Sequence, residues 1–164
     1  MTIASFSLSV ALFILQNYEI ALVSLPLGFV SLAFYKYHKL PSKIFPGDSG
    51  ALTLGAMYGV IAIVGHVEIV AAVAILPAVI NSFLFLSSVK KIVEHRQIKT
   101  KPVDHDEEFR LRATNDKNAP ITLVRLILAG EPMTEKQIGH AIFKLTIFSG
   151  ILAIITALMM VIKI

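Results

Sequence analysis

IGHAIFKLTIFSGILAIITALMMVI, residues 138–162, is an apolar run that carries a single formal charge, Lys144. At about 1.5 Å of helical rise per residue, it is long enough to cross the roughly 30 Å hydrocarbon layer of a bilayer. Outward from it, four further apolar runs occupy residues 2–15, 20–34, 51–65 and 69–89. With 55% of residues hydrophobic and only 16% charged, the chain is too apolar for a water-soluble globule. The expected fold is an all-α integral membrane protein of about five transmembrane helices, one membrane domain over residues 1–164. The first three runs are short for a span, so they tilt little, continue into their flanks or sit among other helices.

The cations are sorted by loop. The tight connections 16–19 and 65–68 each hold an acid and neither Lys nor Arg, whereas segments 35–50 and 90–137 hold nearly all the Lys and Arg. The positive-inside tendency therefore places those two segments and the N-terminus in the cytoplasm and the C-terminus outside. The first run has no basic leader and no small-residue cleavage site, and reads as a retained helix. A net charge of +4 could suit nucleic acid, but the charges collect in two loops and form no basic face, so no nucleic-acid partner is expected. The chain has no cysteine, which excludes disulfides, thiolate metal sites and a thiol nucleophile.

Segment 90–137 is expected to be structured. Residues 98–103 and 109–113 flank an acidic stretch and read as a small β-hairpin. Asn118 can cap a short helix that holds Pro120 in its first turn and stops at Gly130; at about ten residues it would lie in the interface. Thr134 and Gln137 have the spacing of a capping box for the last helix. His66, Glu68 and the acidic cluster around His105 read as turn or solvated groups. Asn81, polar within a helix, reads as an interhelical hydrogen-bonding group or a ligand contact.

The segment equipped for chemistry is PSKIFPGDSG, residues 41–50. Asp48 is a hard oxygen donor of the kind Mg²⁺ takes together with substrate phosphates. Gly47, Ser49 and Gly50 let backbone approach a pyrophosphate at the start of a helix expected from Ala51, where free amides favour anions. Phe45 offers an aromatic face. The same residues also read as a plain Pro-Gly-Asp-Ser-Gly turn with Asp48 as a helix cap.

The block from Lys43 to Ala51, followed by Gly55 and Gly65-His66, resembles a motif of the polyprenyl-phosphate N-acetylhexosamine-1-phosphate transferases (glycosyltransferase family 4). The nearest branch is the archaeal and eukaryotic UDP-N-acetylglucosamine:dolichyl-phosphate N-acetylglucosamine-1-phosphate transferase. Leu76-Pro77 with Asn81, His95-Arg96, and the stretch with Thr122, Leu123, Leu126 and Gly130 match the same branch in the same order. The resemblance implies transfer of N-acetylglucosamine 1-phosphate from UDP-N-acetylglucosamine to a polyprenyl phosphate, the first step of lipid-linked oligosaccharide assembly, with Mg²⁺ as cofactor. It assigns Asp48 to catalysis and to Mg²⁺, Phe45, Gly47 and Ser49 to the nucleotide, and His95 and Arg96 to the sugar.

The family's paired-aspartate motif is not found in this sequence, and Gln97 stands where the family has proline after the arginine. The match corresponds to the C-terminal half of such an enzyme. The expectation is therefore a chain inactive alone that works with a complementing N-terminal half or as a homo-oligomer, in contact with membrane lipid and, if the source is archaeal, in the cell membrane. Whether it is itself an enzyme stays open. The alternative is a non-catalytic membrane interaction protein or a relic of such an enzyme.

Overall fold

Helices form on all five apolar runs, with their ends shifted by local chemistry. The computed structural model describes residues 1–89, 100–105, 110–116 and 119–162. Helix α1 covers Thr2–Ile14, α2 Tyr18–His38 and α3 Gly47–Val64; α4 is Glu68–Ala74, α5 Leu76–Val89, α6 Leu123–Ile127 and α7 Glu135–Ile162. Strands β1, Val103–His105, and β2, Leu111–Ala113, pair antiparallel with Asp104 opposite Arg112. The chain divides into two compact units, Met1–Leu76 with Thr146–Ile164, and Pro77–Leu145.

By length and composition, α2, α3 and α7 can each cross a membrane, and α4 with α5 can count as a fourth span. At 13 residues, α1 reaches only about 20 Å, and its burial explains how so short a helix is accommodated. Leu8, Ala11 and Leu12 are completely buried in a cluster with Ala21 and Leu27 of α2, Tyr58 and Ile61 of α3, Val70 and Ala74 of α4, and Ala153 and Ala157 of α7. Small residues let the backbones approach, as in membrane helix packing generally. A Cβ on Gly150 would lie 2.6 Å from Ser7 Oγ, and one on Gly28 2.9 Å from the Phe6 ring. Within this core, Ser9 Oγ donates to the Ser5 carbonyl at 3.0 Å, and the Ser24 hydroxyl lies 2.6 Å from Ser9 Oγ.

Both tight turns are built alike. The Asn17 amide donates back to the Leu12 carbonyl and the Val67 amide to that of Ala62, at 3.0 and 2.9 Å, while Gln16 and His66 take φ of 60° and 54°. This is the left-handed helix terminus usually assigned to glycine.

The run expected as one span over 69–89 is divided at Ile75. Pro77 has no N–H to donate to the Val73 carbonyl four residues earlier. The Ser149 hydroxyl of α7 donates to that carbonyl, which also accepts a backbone N–H at the end of α4, so it is satisfied without water. Nearby, the buried Tyr58 hydroxyl donates to the Ala71 carbonyl at 2.9 Å.

In the second unit a hairpin forms, but its first strand, Val103–His105, meets the expected strand 98–103 only at Val103 and otherwise takes up residues expected in the acidic turn; the Met133 amide and carbonyl pair with those of Leu111 at its edge. The interfacial helix is shorter than expected, five residues capped by Thr122, whose Oγ1 accepts from the Arg125 amide. The reason is Arg125. Its guanidinium donates to the carbonyls of Ala119, Pro120, Thr114 and Asp116, which holds this stretch as a loop. The expected cap at Asn118 lies outside the described residues. The capping box at the start of α7 forms: Gln137 Oε1 accepts from the Thr134 amide at 2.9 Å, and Thr134 Oγ1 from the Gln137 amide at 3.4 Å.

Ser149→Ala is expected to lower stability by about 0.5–1.5 kcal/mol, the net worth of the interhelical hydrogen bond it removes. Thr156→Ala, whose hydroxyl only returns to the Leu152 carbonyl of its own helix, should change stability by less than about 0.5 kcal/mol. Thermal unfolding in detergent distinguishes the two; equal effects would remove the role given to Ser149.

Candidate functional site

The loop between α2 and α3 is anchored from the last turn of α2. His38 Nδ1 donates to the Ile44 carbonyl at 3.0 Å, which places a proton on that nitrogen. Its ring stacks on Phe34, four residues earlier on the helix, with centroids 5.4 Å apart, and meets the Phe45 ring edge-on at 5.7 Å. The Lys43 amide donates to the Tyr37 carbonyl at 3.0 Å. Held on one edge by His38, Phe45 keeps 74% of its surface exposed and presents a face to a stacking partner.

Helix α3 begins at Gly47, four residues before the start expected at Ala51, with Pro46 in the capping position. Ser49 and Gly50 therefore lie inside the first turn and not ahead of it. Gly47 has φ of 61°, a left-handed conformation that glycine adopts without strain, and no atom lies within 4 Å of where its Cβ would be. At Gly50 a Cβ would come within 3.2 Å of Pro46 Cβ. Asp48 is exposed in the first turn, where the helix dipole favours a negative group. The Thr53 hydroxyl returns to the Ser49 carbonyl at 2.8 Å.

Phe45, Gly47, Asp48 and Ser49 thus share one short exposed segment, while His95 and Arg96 lie outside the described residues. Among the described residues no group of three His, Asp or Glu side chains gathers that could hold a metal. Asp48 fits Mg²⁺ as one carboxylate ligand, the number commonly found where phosphates and water complete the shell. Asn81 is explained by the fold: its Oδ1 accepts from the Leu123 amide at 2.8 Å, while Ser88 Oγ accepts from the Ile121 amide at 3.0 Å. His38 and Arg125 were not singled out from the sequence. The spacing of Phe34 and His38 was the available signal for the first, since residues four apart share a helix face; nothing local marked Arg125.

The fold and this loop define a multi-helix membrane protein with an exposed aromatic and acidic turn at a helix start. The family model described as glycosyl transferase family 4 matches residues 1–66. A protein of Methanocaldococcus jannaschii named as a glycosyltransferase is 35% identical over 159 residues, covering 95% of this chain and 50% of that protein. The phospho-N-acetylmuramoyl-pentapeptide-transferase of Clostridium beijerinckii is 41% identical over 54 residues, 33% of this chain and 17% of that enzyme. A protein of Saccharolobus solfataricus named as a UDP-N-acetylglucosamine–dolichyl-phosphate N-acetylglucosaminephosphotransferase is 36% identical over 70 residues, 43% of this chain and 22% of that protein. These matches bear out the resemblance to glycosyl transferase family 4 read from the Phe45–Gly50 block. The chain spans about half the length of the Methanocaldococcus relative.

His38→Ala should loosen the loop without unfolding the helices: amides of residues 39–46 should exchange about tenfold faster, with α2 and α3 unchanged. Gly47→Ala should cost about 1 kcal/mol through backbone strain, read as a lower unfolding midpoint.

Proposed function

We propose that the chain forms the part of a membrane sugar-phosphate transferase that holds the nucleotide diphosphate, moving N-acetylglucosamine 1-phosphate from UDP-N-acetylglucosamine to a polyprenyl phosphate. The observation that carries this reading is the exposed pair Phe45 and Asp48 at the start of α3, within a chain that resembles this family. An oxygen of the lipid phosphate bonds to the phosphorus that bears the sugar. The bond from that phosphorus to the bridging oxygen breaks, and the bridging oxygen leaves on UMP.

The chain's own residues orient the donor. Phe45 stacks on uracil, and Gly47 and Ser49 let the first-turn amides of α3 face the diphosphate. Asp48 ligates Mg²⁺, which when bound neutralises charge on the diphosphate. His95 and Arg96 contact the sugar, an assignment resting on the family resemblance alone. Phosphate oxygens and water complete the metal's shell, and any second carboxylate comes from a complementing half or a second copy. The loop carrying Asp48 faces the cytoplasm, as the lysine distribution supports.

Asp48→Asn is expected to reduce Mg²⁺-dependent binding of UDP-N-acetylglucosamine by at least about tenfold, the scale of losing a charged metal ligand. Phe45→Leu should weaken uridine-nucleotide binding by a smaller factor without altering its Mg²⁺ dependence. Unchanged binding in both variants, measured by calorimetry in membranes that also contain any complementing chain, would leave an interaction protein as the better reading.

A further inference from the structure

At the end of α2 nearest Lys39, two clefts meet on the helix's exposed side. One, of about 410 Å³, is lined by Phe29, Leu32, Ala33, Tyr35, Lys36 and Lys39. The other, of about 210 Å³, shares Lys36 and Lys39 and adds Lys43 and Pro41 among its walls. Phe29, Leu32, Ala33 and Lys36 fall at the spacing of a single helix face, opposite the buried positions Ala21, Ser24, Leu27, Gly28 and Ser31. From Phe29 to Lys36 the rise is about 10 Å. The cleft therefore passes from an apolar floor to a pair of cations over the depth that separates the upper acyl chain of a lipid from its phosphate.

We propose that this cleft binds an anionic phospholipid, its chain along Phe29, Leu32 and Ala33 and its phosphate between Lys36 and Lys39. The proposal is independent of the transferase reading. Charge complementarity selects the occupant. Residues 35–47 carry Lys36, Lys39 and Lys43 and no acid, so a zwitterionic lipid would bring its own cation against them, whereas an anionic lipid brings none. Tyr35 and Tyr37, both about half exposed, supply the amphipathic rings typical of the headgroup level, and lysine stems reach from apolar surface to that level. A polypeptide in the cleft would instead have to bury both ammonium groups against acids of its own, at a desolvation cost.

The chain contains no tryptophan, so Leu32→Trp gives a single reporter on the cleft wall, and Leu22→Trp, at an exposed position toward the other end of the helix, gives a control. Each variant is reconstituted in phosphatidylcholine vesicles that contain a small, equal mole fraction of brominated phosphatidylglycerol or brominated phosphatidylcholine, and quenching is compared. The expected result is an enrichment of the anionic lipid around the cleft reporter of about tenfold, the order expected from two lysines near anionic headgroups, with none around the control reporter. In the Leu32→Trp background, Lys36→Gln with Lys39→Gln should abolish the enrichment and Lys36→Arg with Lys39→Arg should keep it. Lys39→Glu alone, outside the helix, should abolish it even if the double glutamine variant fails to fold.

Equal quenching by both lipids, or an enrichment that survives the charge changes, overturns the proposal. No quenching by either lipid overturns it in favour of a polypeptide covering the cleft. Loss of the enrichment on adding about one equivalent of polyprenyl phosphate overturns it in favour of the acceptor lipid.

Discussion

No water is available in hydrocarbon to satisfy a backbone carbonyl, so each one released from a helix ladder needs a partner inside the protein. The Val73 carbonyl states this constraint most directly. Pro77 cannot bond to it, and Ser149, remote in sequence, does. Buried hydroxyls face the same shortage as donors, and those of Tyr58 and Ser9 bond the carbonyls of Ala71 and Ser5. The buried hydroxyls of this core largely serve the backbone. The small residues around them let one face of α1 sink among its neighbours, which is how a helix too short to span the bilayer finds a place in a membrane protein.

The candidate site follows from what the end of α2 does to the loop after it. His38 holds the Ile44 carbonyl and bears on the edge of Phe45, so the chain enters α3 with the aromatic ring outward. Gly47 then takes the left-handed conformation that turns the backbone into the helix. Asp48 arrives in the first turn, where the unpaired amides of a helix start favour negative charge.

In the second unit, polar groups that could have been read as ligands are occupied by the chain itself. Asn81 and Ser88 accept from the amides of Leu123 and Ile121, and Arg125 gathers four carbonyls. An arginine with five donors suits that task, because it can satisfy a whole irregular loop from one position. These residues give the extramembrane segment a defined backbone without a long helix.

Run length and loop charge were enough to establish from sequence a helical membrane protein with a hairpin, a capping box before α7 and one chemically distinctive turn at Phe45–Gly50. Those features rest on local rules: hydrocarbon thickness, alternation around a turn, and fixed spacings of capping side chains. The fate of each proline was not legible in the same way. Pro26 lies within a continuous α2, whereas Pro77 sits where the fourth run divides. By run length alone, one span passes through each of them. Only the tertiary packing of α7 brings Ser149 to the Val73 carbonyl beside the break. The clamp by His38 and the five-residue length of α6 rest on side chains that fold back on loops five to eleven residues away, contacts that periodicity does not mark.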